Sequence, residues 1–325
     1  MGGRVSGGTD TTPTATGHGR TVVGVDNRAD IRDFLATRRA RITPEQAGLP
    51  PGGGRRRVPG LRREEVAVLA GVSTDWYTRL EKGHIAGVSD DVLDAVARAL
   101  QLDEAERNHL FHLARAARPR RAVRRGPKPR VGPSVQRVLD SMITTAAFVR
   151  NGRLDIVATN MLGRALYSPV FDDARHGGNM ARFNFLDPRA EAFYPDWAGS
   201  ADTTVALLRT EAGRDPQNRE LTELIGELAT RSDDFRTRWA AHNVKTHRHG
   251  VKHFIHPIVG PLDLTFDGLE LPAPDGSSLT LTAYTAEPAS ASEDGLSMLA
   301  SWAATVELPT DDAASIADAD TDRQK

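Results

Sequence analysis

The chain of 325 residues carries 42 Lys and Arg against 43 Asp and Glu, with 39% apolar residues, ten histidines and no cysteine. That length gives room for two domains. The missing cysteines exclude disulfides, thiolate nucleophiles and Cys-ligated zinc, and with no run of 18 apolar residues they fit a cytoplasmic protein without a membrane span.

Residues 1–29 are mostly Gly, Thr and polar residues with no apolar h-region, which predicts a disordered leader and argues against secretion. From Asp30 to Arg41 the spacing of Ile31, Phe34 and Leu35 predicts a helix capped by Asp30. Thr43 to Gly60 is too rich in Pro and Gly for a helix, so it reads as a long loop. In its middle stand Arg55, Arg56 and Arg57, candidates for phosphate contact.

The stretch RREEVAVLAGVSTDWYTRLEKG, Arg62 to Gly83, reads as two short helices joined by a tight turn. Val66, Leu69 and Ala70 are expected inward on the first helix. Gly71 ends it, and Ser73 caps the second, whose expected inward side is Trp76 and Leu80. That leaves Thr74, Asp75, Tyr77, Thr78, Arg79 and Lys82 outward, side chains able to meet base edges and phosphates. The arrangement points to a DNA-binding helix-turn-helix, in which the second helix enters the major groove. Arg62 and Arg63 stand where a phosphate docks. Two readings stay open for Asp75: an acceptor for a cytosine amino group, or a charge complementing the helix dipole. Tyr77 either gives its hydroxyl to a phosphate, the reading preferred here, or buries its ring.

Ser89 and Asp103 are expected to cap two further helices, Asp90 to Leu100 and one ending near Ala117, making a five-helix domain over residues 30–117. Residues 118–133, RPRRAVRRGPKPRVGP, read as a basic, semi-rigid linker. The charge changes sign across it. Asp30 to Arg130 holds 21 basic against 13 acidic residues, and Val131 to Lys325 holds 18 against 28, so the first half is suited to a polyanion.

Beyond the linker, residues 134–305 mix predicted helices and strands. Ala147 to Val149 and Leu154 to Ala158 flank the hairpin signal Asn151-Gly152. Helices are expected over Val135 to Thr144, Asn160 to Leu166, Thr203 to Ala212, Arg219 to Thr230 and Ser232 to Asn243. Strands are expected over Lys252 to His256, Leu262 to Phe266 and Leu279 to Thr285, and a last helix over Ser292 to Ala304. Residues 306–325 form an acidic tail expected to be disordered. His242, His247, His249, His253 and His256 cluster within 15 residues, but they span a helix end, a loop and a strand with no ligand-set spacing, so no metal site is assigned. No Gly-rich phosphate loop, G-x-S-x-G elbow or H-E-x-x-H occurs, so no catalytic residue is assigned and the chain reads as a non-enzyme.

PPGGGRRRVPGLRREEVAVLAGVSTDWYTRLEKG resembles the Xre-type helix-turn-helix of MmyB-like transcription regulators of actinobacteria. LDIVATN, FLDPRAEAFYPDW, ELIGELATRSDDFRTRWAAHNV and FIHPIVGPLDLTFDGLELP are similar to that family's ligand-binding domain, so the resemblance runs from about residue 30 to 305. HIAGVSDD departs from the family's usual loop after the second helix, and no backbone contact is assigned to it. The resemblance implies an all-α five-helix domain followed by an α/β PAS-like domain with a hydrophobic cavity. It implies a homodimer on an operator of double-stranded DNA, and a small apolar ligand, a fatty acid or similar, in place of any cofactor. Asn160 and Trp197 fall where it puts cavity walls, and Arg238, Trp239 and His242 share one side of an expected helix, so these five are the candidate ligand residues. The rival reading is a helix-turn-helix that regulates through a protein partner, without a small-molecule ligand.

Overall fold

The computed structural model describes residues 27–50, 60–117, 131–244, 247–271 and 279–305. The leader to residue 26, Arg55, Arg56 and Arg57, most of the basic linker and the acidic tail lie outside the described residues.

Five helices build the N-terminal domain: α1 (Asn27–Arg41), α2 (Arg63–Ala70), α3 (Thr74–Glu81), α4 (Asp90–Ala99) and α5 (Glu104–Ala116). Helix α1 starts three residues before the expected cap, and Asn27 Nδ2 donates to Leu113 O at the end of α5 (3.5 Å). Gly71 ends α2 at φ 67°, where its amide reaches back to the last carbonyls. Ser73 caps α3 by accepting from Trp76 N (3.2 Å). Asp103 and Glu106 form a reciprocal capping box on α5. Ile31, Phe34, Leu35, Val66, Leu80, Val96 and Leu110 share the core. Two expectations for this core change. Leu69 is exposed, and Ala67 is the α2 residue buried in its stead. Trp76 is half-buried while its neighbour Tyr77 is fully buried.

The second domain opens with α6 (Pro133–Ser141), the hairpin β1 (Ala146–Asn151) and β2 (Ile156–Thr159), then the helices α7 (Met161–Leu166), α8 (Ser168–Phe171), α9 (Met180–Leu186) and α10 (Arg189–Phe193). Helices α11 (Trp197–Arg214), α12 (Arg219–Arg231) and α13 (Asp233–Ala240) follow, then β3 (His249–His256), β4 (Gly260–Leu271), β5 (Leu279–Thr285) and α14 (Ala291–Thr305). The strands make one antiparallel sheet in the order β2-β1-β5-β4-β3, the PAS-like α/β layout expected.

Alternation gives each face of this sheet a different cover. On one face Ala147, Val149, Leu279 and Leu281 pack on Leu139 of α6. On the other, Phe148, Phe254, Leu262, Leu264, Phe266 and Tyr284 pack under α7, α10 and α14. Helices α9, α11, α12 and α13 form a third core around Leu208, Leu224 and Phe235. The domains touch where α5 packs on α11, and Val244, just past α13, joins the core of the N-terminal domain.

Candidate DNA interface and ligand site

Helix α3 presents Thr74, Asp75, Arg79 and Lys82 to solvent, with Thr78 half-buried between them. That face is held by a buried carboxylate. Glu81, at the end of α3, accepts from Arg39 of α1 through two hydrogen bonds of 2.9 Å, and Arg63 of α2 donates to its Oε1 through Nε (3.1 Å) and Nη2 (3.0 Å). Burial acts to raise the Glu81 carboxyl, but the hydrogen bonds from Arg39 and Arg63 outweigh it and hold it below the usual range. One carboxylate thus ties α1, α2 and α3 into a fixed angle. Gly83 completes the junction. It sits at φ +92°, and a Cβ there would come within 2.9 Å of the Arg28 backbone.

This clamp revises two candidates. Tyr77 is 0% exposed, with its hydroxyl beside Glu81 and Arg39, so it cannot reach a phosphate. Burial, and then the Glu81 charge, push that hydroxyl well above the ordinary phenol range. Arg63 keeps half its side chain exposed but spends two of its donors on Glu81. Arg62 remains outward, near Glu64 at 3.3 Å.

The helix-covered face of the sheet holds a second, different arrangement. Lys252 lies in phase with Phe254 and His256 on β3, and Arg150 in phase with Phe148 on β1, so both enter this face. Both are half-buried. Lys252 Nζ stands 4.3 Å from the centroid of Tyr194 and 5.8 Å from that of Phe254. Beside it Tyr167 and Tyr284 share a hydroxyl–hydroxyl bond of 2.7 Å. Neither cation forms a salt bridge among the described residues; Glu211 and Glu270 act on Arg150 only from beyond ion-pair distance. Burial, and then the Arg150 charge, lower the Lys252 ammonium to about 8, and burial likewise lowers Arg150.

Comparison with known families matches residues 131–299 to the MmyB-like transcription regulator ligand binding domain and residues 30–110 to a helix-turn-helix domain. The chain belongs to the MmyB-like transcription regulators. No curated protein matches it. Both matched families describe a DNA-binding regulator and a ligand-binding domain, not an enzyme. No helix among the described residues is long and apolar enough to cross a membrane.

In this MmyB-like chain the five candidate ligand residues do not share one cleft. Asn160 caps α7: its Oδ1 accepts from Ala147 N (3.0 Å) and Gly163 N (2.7 Å), and its Nδ2 donates to Met142 O and Thr145 O (both 2.7 Å). With every donor and both acceptor positions used on backbone, it is a structural pin rather than a ligand group. Trp197 donates to Asn184 O (2.9 Å) and packs at the margin of the core beneath the sheet, with Arg238 over its ring at 5.4 Å. Arg238 is paired with Asp202 at 2.5 Å. Trp239 stacks on Phe235, and His242 leaves its side of the helix because α13 ends at Ala240. Both face Arg209 at the domain boundary instead. Sequence reasoning missed Lys252, although alternation in the expected strand Lys252 to His256 put it in phase with Phe254, and missed Arg150 because the expected strand stopped at Val149 whereas β1 runs to Asn151.

The histidine run disperses. His247 stacks on Phe266, His253 pairs with Asp263 at 2.6 Å, and His256 is buried against Ala165 O at 3.1 Å. Elsewhere, Asp173, His176 and Asp187 bring three donor atoms within 4.8 Å of one another beside an open depression of about 420 Å³. Their carboxylates are already engaged, Asp173 by Arg175 and Asp187 by Arg189, which holds Asp187 down to about 2. That corner is a neutralised charge network fastening the loop before α9 to the start of α10.

Proposed function

We propose that this regulator binds a two-fold operator as a homodimer in the cytoplasm, and that a small fatty-acid-like amphiphile beneath the sheet shifts its affinity for DNA. The DNA half rests on the outward set Thr74, Asp75, Thr78, Arg79 and Lys82 on α3, with Arg62 at the start of α2 and the arginines 55–57 as phosphate contacts. The observation that carries the ligand half is the pair Lys252 and Arg150. Both are half-buried, and a charge drawn out of water without a partner costs free energy or loses its proton. Two cations with no carboxylate of the described residues at ion-pair distance, beside Tyr167, Tyr194, Phe254 and Tyr284, fit an acid head group whose tail lies along the aromatics.

Regulation then requires that the amphiphile bind the DNA-competent and DNA-incompetent states with different affinity. Operator fragments selected from random DNA, titrated with the protein in the presence and absence of dodecanoate, test the reading. It expects a shift in operator affinity that Lys252→Met removes. Unchanged affinity at saturating dodecanoate would refute it.

A further inference from the structure

The boundary between the two domains is built from buried charge rather than from apolar contact alone. Arg209 of α11 and Arg38 of α1 are each 2% exposed, and they meet at one residue, His242. The Arg209 guanidinium lies 4.0 Å over the Trp239 ring, donates from Nη2 to Trp239 O and sets Nη1 3.0 Å from His242 Nδ1. On the other side, Arg38 donates from Nη2 to His242 O while its Nε pairs with Glu106 of α5 at 2.8 Å. Asp30 stands 3.8 Å from Arg209, Asp33 stands 3.9 Å from His242, and Arg41 donates to Asn243. His242 itself takes φ +53°, a left-handed conformation that a non-glycine residue adopts only when its surroundings impose it. One step along the boundary, His109 of α5 fills the space where Gly213 of α11 lacks a side chain: a Cβ there would lie 2.6 Å from its ring.

The same helix also touches the β1–β2 hairpin of the sheet domain. Two residues from Arg209, on the opposite side of α11, buried Glu211 presses on the β1–β2 turn, where a Cβ on Gly152 would come within 2.2 Å of its Cδ. It also feels the charge of Arg150. Helix α11 therefore contacts the hairpin that carries Arg150 with one side and the DNA-binding domain with the other.

We infer that α11 is a coupling element: Arg209 with His242 latches the DNA-binding domain to the sheet domain, and a change at the Arg150 hairpin is reported through α11 to α1 and α5. The latch stands on the boundary geometry alone, while the reporting rests on the ligand reading above. The recognition face of α3 takes no part in the boundary contacts named here, so the latch sets where the DNA-binding domain is held without covering its reading surface. A change in that position alters how a pair of such domains meets two half-sites, a differential contact of the kind allostery needs.

Hydrogen exchange on the full-length protein tests both halves. Arg209→Met changes no residue of the DNA-binding domain, yet amides of α1 and α5 are expected to exchange about tenfold faster while β1 and β5 stay as protected as in wild type. Unchanged α1 and α5 with an intact sheet overturns the latch. Should Arg209→Met also open β1 and β5, His242→Asn takes its place under the same criterion, because asparagine accepts left-handed backbone and removes the ring. In the second arm dodecanoate is added to wild type. Altered protection in β1 together with α1 and α5 is the expected result. A change in β1 alone overturns the reporting role and leaves ligand sensing standing. No change in any element removes the sensing reading and the reporting role together, while the latch stands or falls on the first arm.

Discussion

The two domains treat buried charge in opposite ways. In the DNA-binding domain Glu81 is 1% exposed and receives hydrogen bonds from two arginines, so the charge is closed within the chain and its work is to hold three helices. Beneath the sheet, half-buried Lys252 stands over the Tyr194 and Phe254 rings, and no salt bridge among the described residues closes its charge or that of half-buried Arg150. A buried charge that is complete marks scaffold, and one that is incomplete marks a place for a partner. The boundary between the domains belongs to the first kind, with Arg38 closed by Glu106 and Arg209 by the Trp239 carbonyl and His242.

The largest expected effect breaks the closed case. Glu81→Ala leaves Arg39 without its partner and is expected to destabilise the DNA-binding domain by about 3–5 kcal/mol, read as a lowered melting temperature. Because the Glu81 carboxyl is held below its unfolded value, its stabilising contribution is present at neutral pH and is lost as pH falls through the folded pKa.

Next comes the domain boundary. Burial, and then the Arg209 charge, lower His242 from 6.5 to about 4, and burial lowers His109 well below 6.5. The folded state therefore binds fewer protons than the unfolded one through this window. Stability from these two residues is complete above pH 6.5 and falls as pH drops toward 4, by about 3 kcal/mol from His242, with His109 acting in the same direction. Thermal melts across that window check it, and His242→Asn is expected to flatten the slope.

Arg79→Ala tests the reading face without touching any buried charge. It is expected to leave the melting temperature in place while costing about 1–3 kcal/mol of discrimination between operator and mismatched sites. The smallest effect has the opposite sign to the first. Lys252→Met removes a half-buried cation that no salt bridge among the described residues closes, so the ligand-free protein is expected to gain about 1 kcal/mol, seen in denaturant unfolding. A loss comparable to that of Glu81→Ala would mean that Lys252 is closed like the scaffold charges.

Local signals made the helix-turn-helix legible. Gly71, Ser73 and Asp103 act on their own neighbours, and the structure puts a left-handed turn and two caps where those residues stand. The outward role given to Tyr77 failed because Trp76 and Tyr77 are adjacent on a helix of eight residues, and the choice between them is made by α1. Arg39 reaches Glu81 from 42 residues away, which no local pattern contains. The same distance problem affected the ligand residues. Arg238, Trp239 and His242 share a side only if α13 continues; it ends at Ala240, and His242 turns to positive φ toward Arg209. For Lys252 the signal was present, since it shares strand phase with Phe254; Arg150 lay one residue past the expected strand and was read as part of the turn. What the sequence lacked was the sheet order that brings β1 and β3 onto one helix-covered face.

The central claim is that the charge beneath the sheet is completed by an acidic amphiphile. Native mass spectrometry of the purified full-length protein, before and after organic extraction and then after addition of dodecanoate, tests it most directly. The expected result is a bound mass that extraction removes and dodecanoate replaces, one per chain, with Lys252→Met and Arg150→Met taking up none. An unchanged mass at every step in wild type, or equal uptake by both variants, would contradict it.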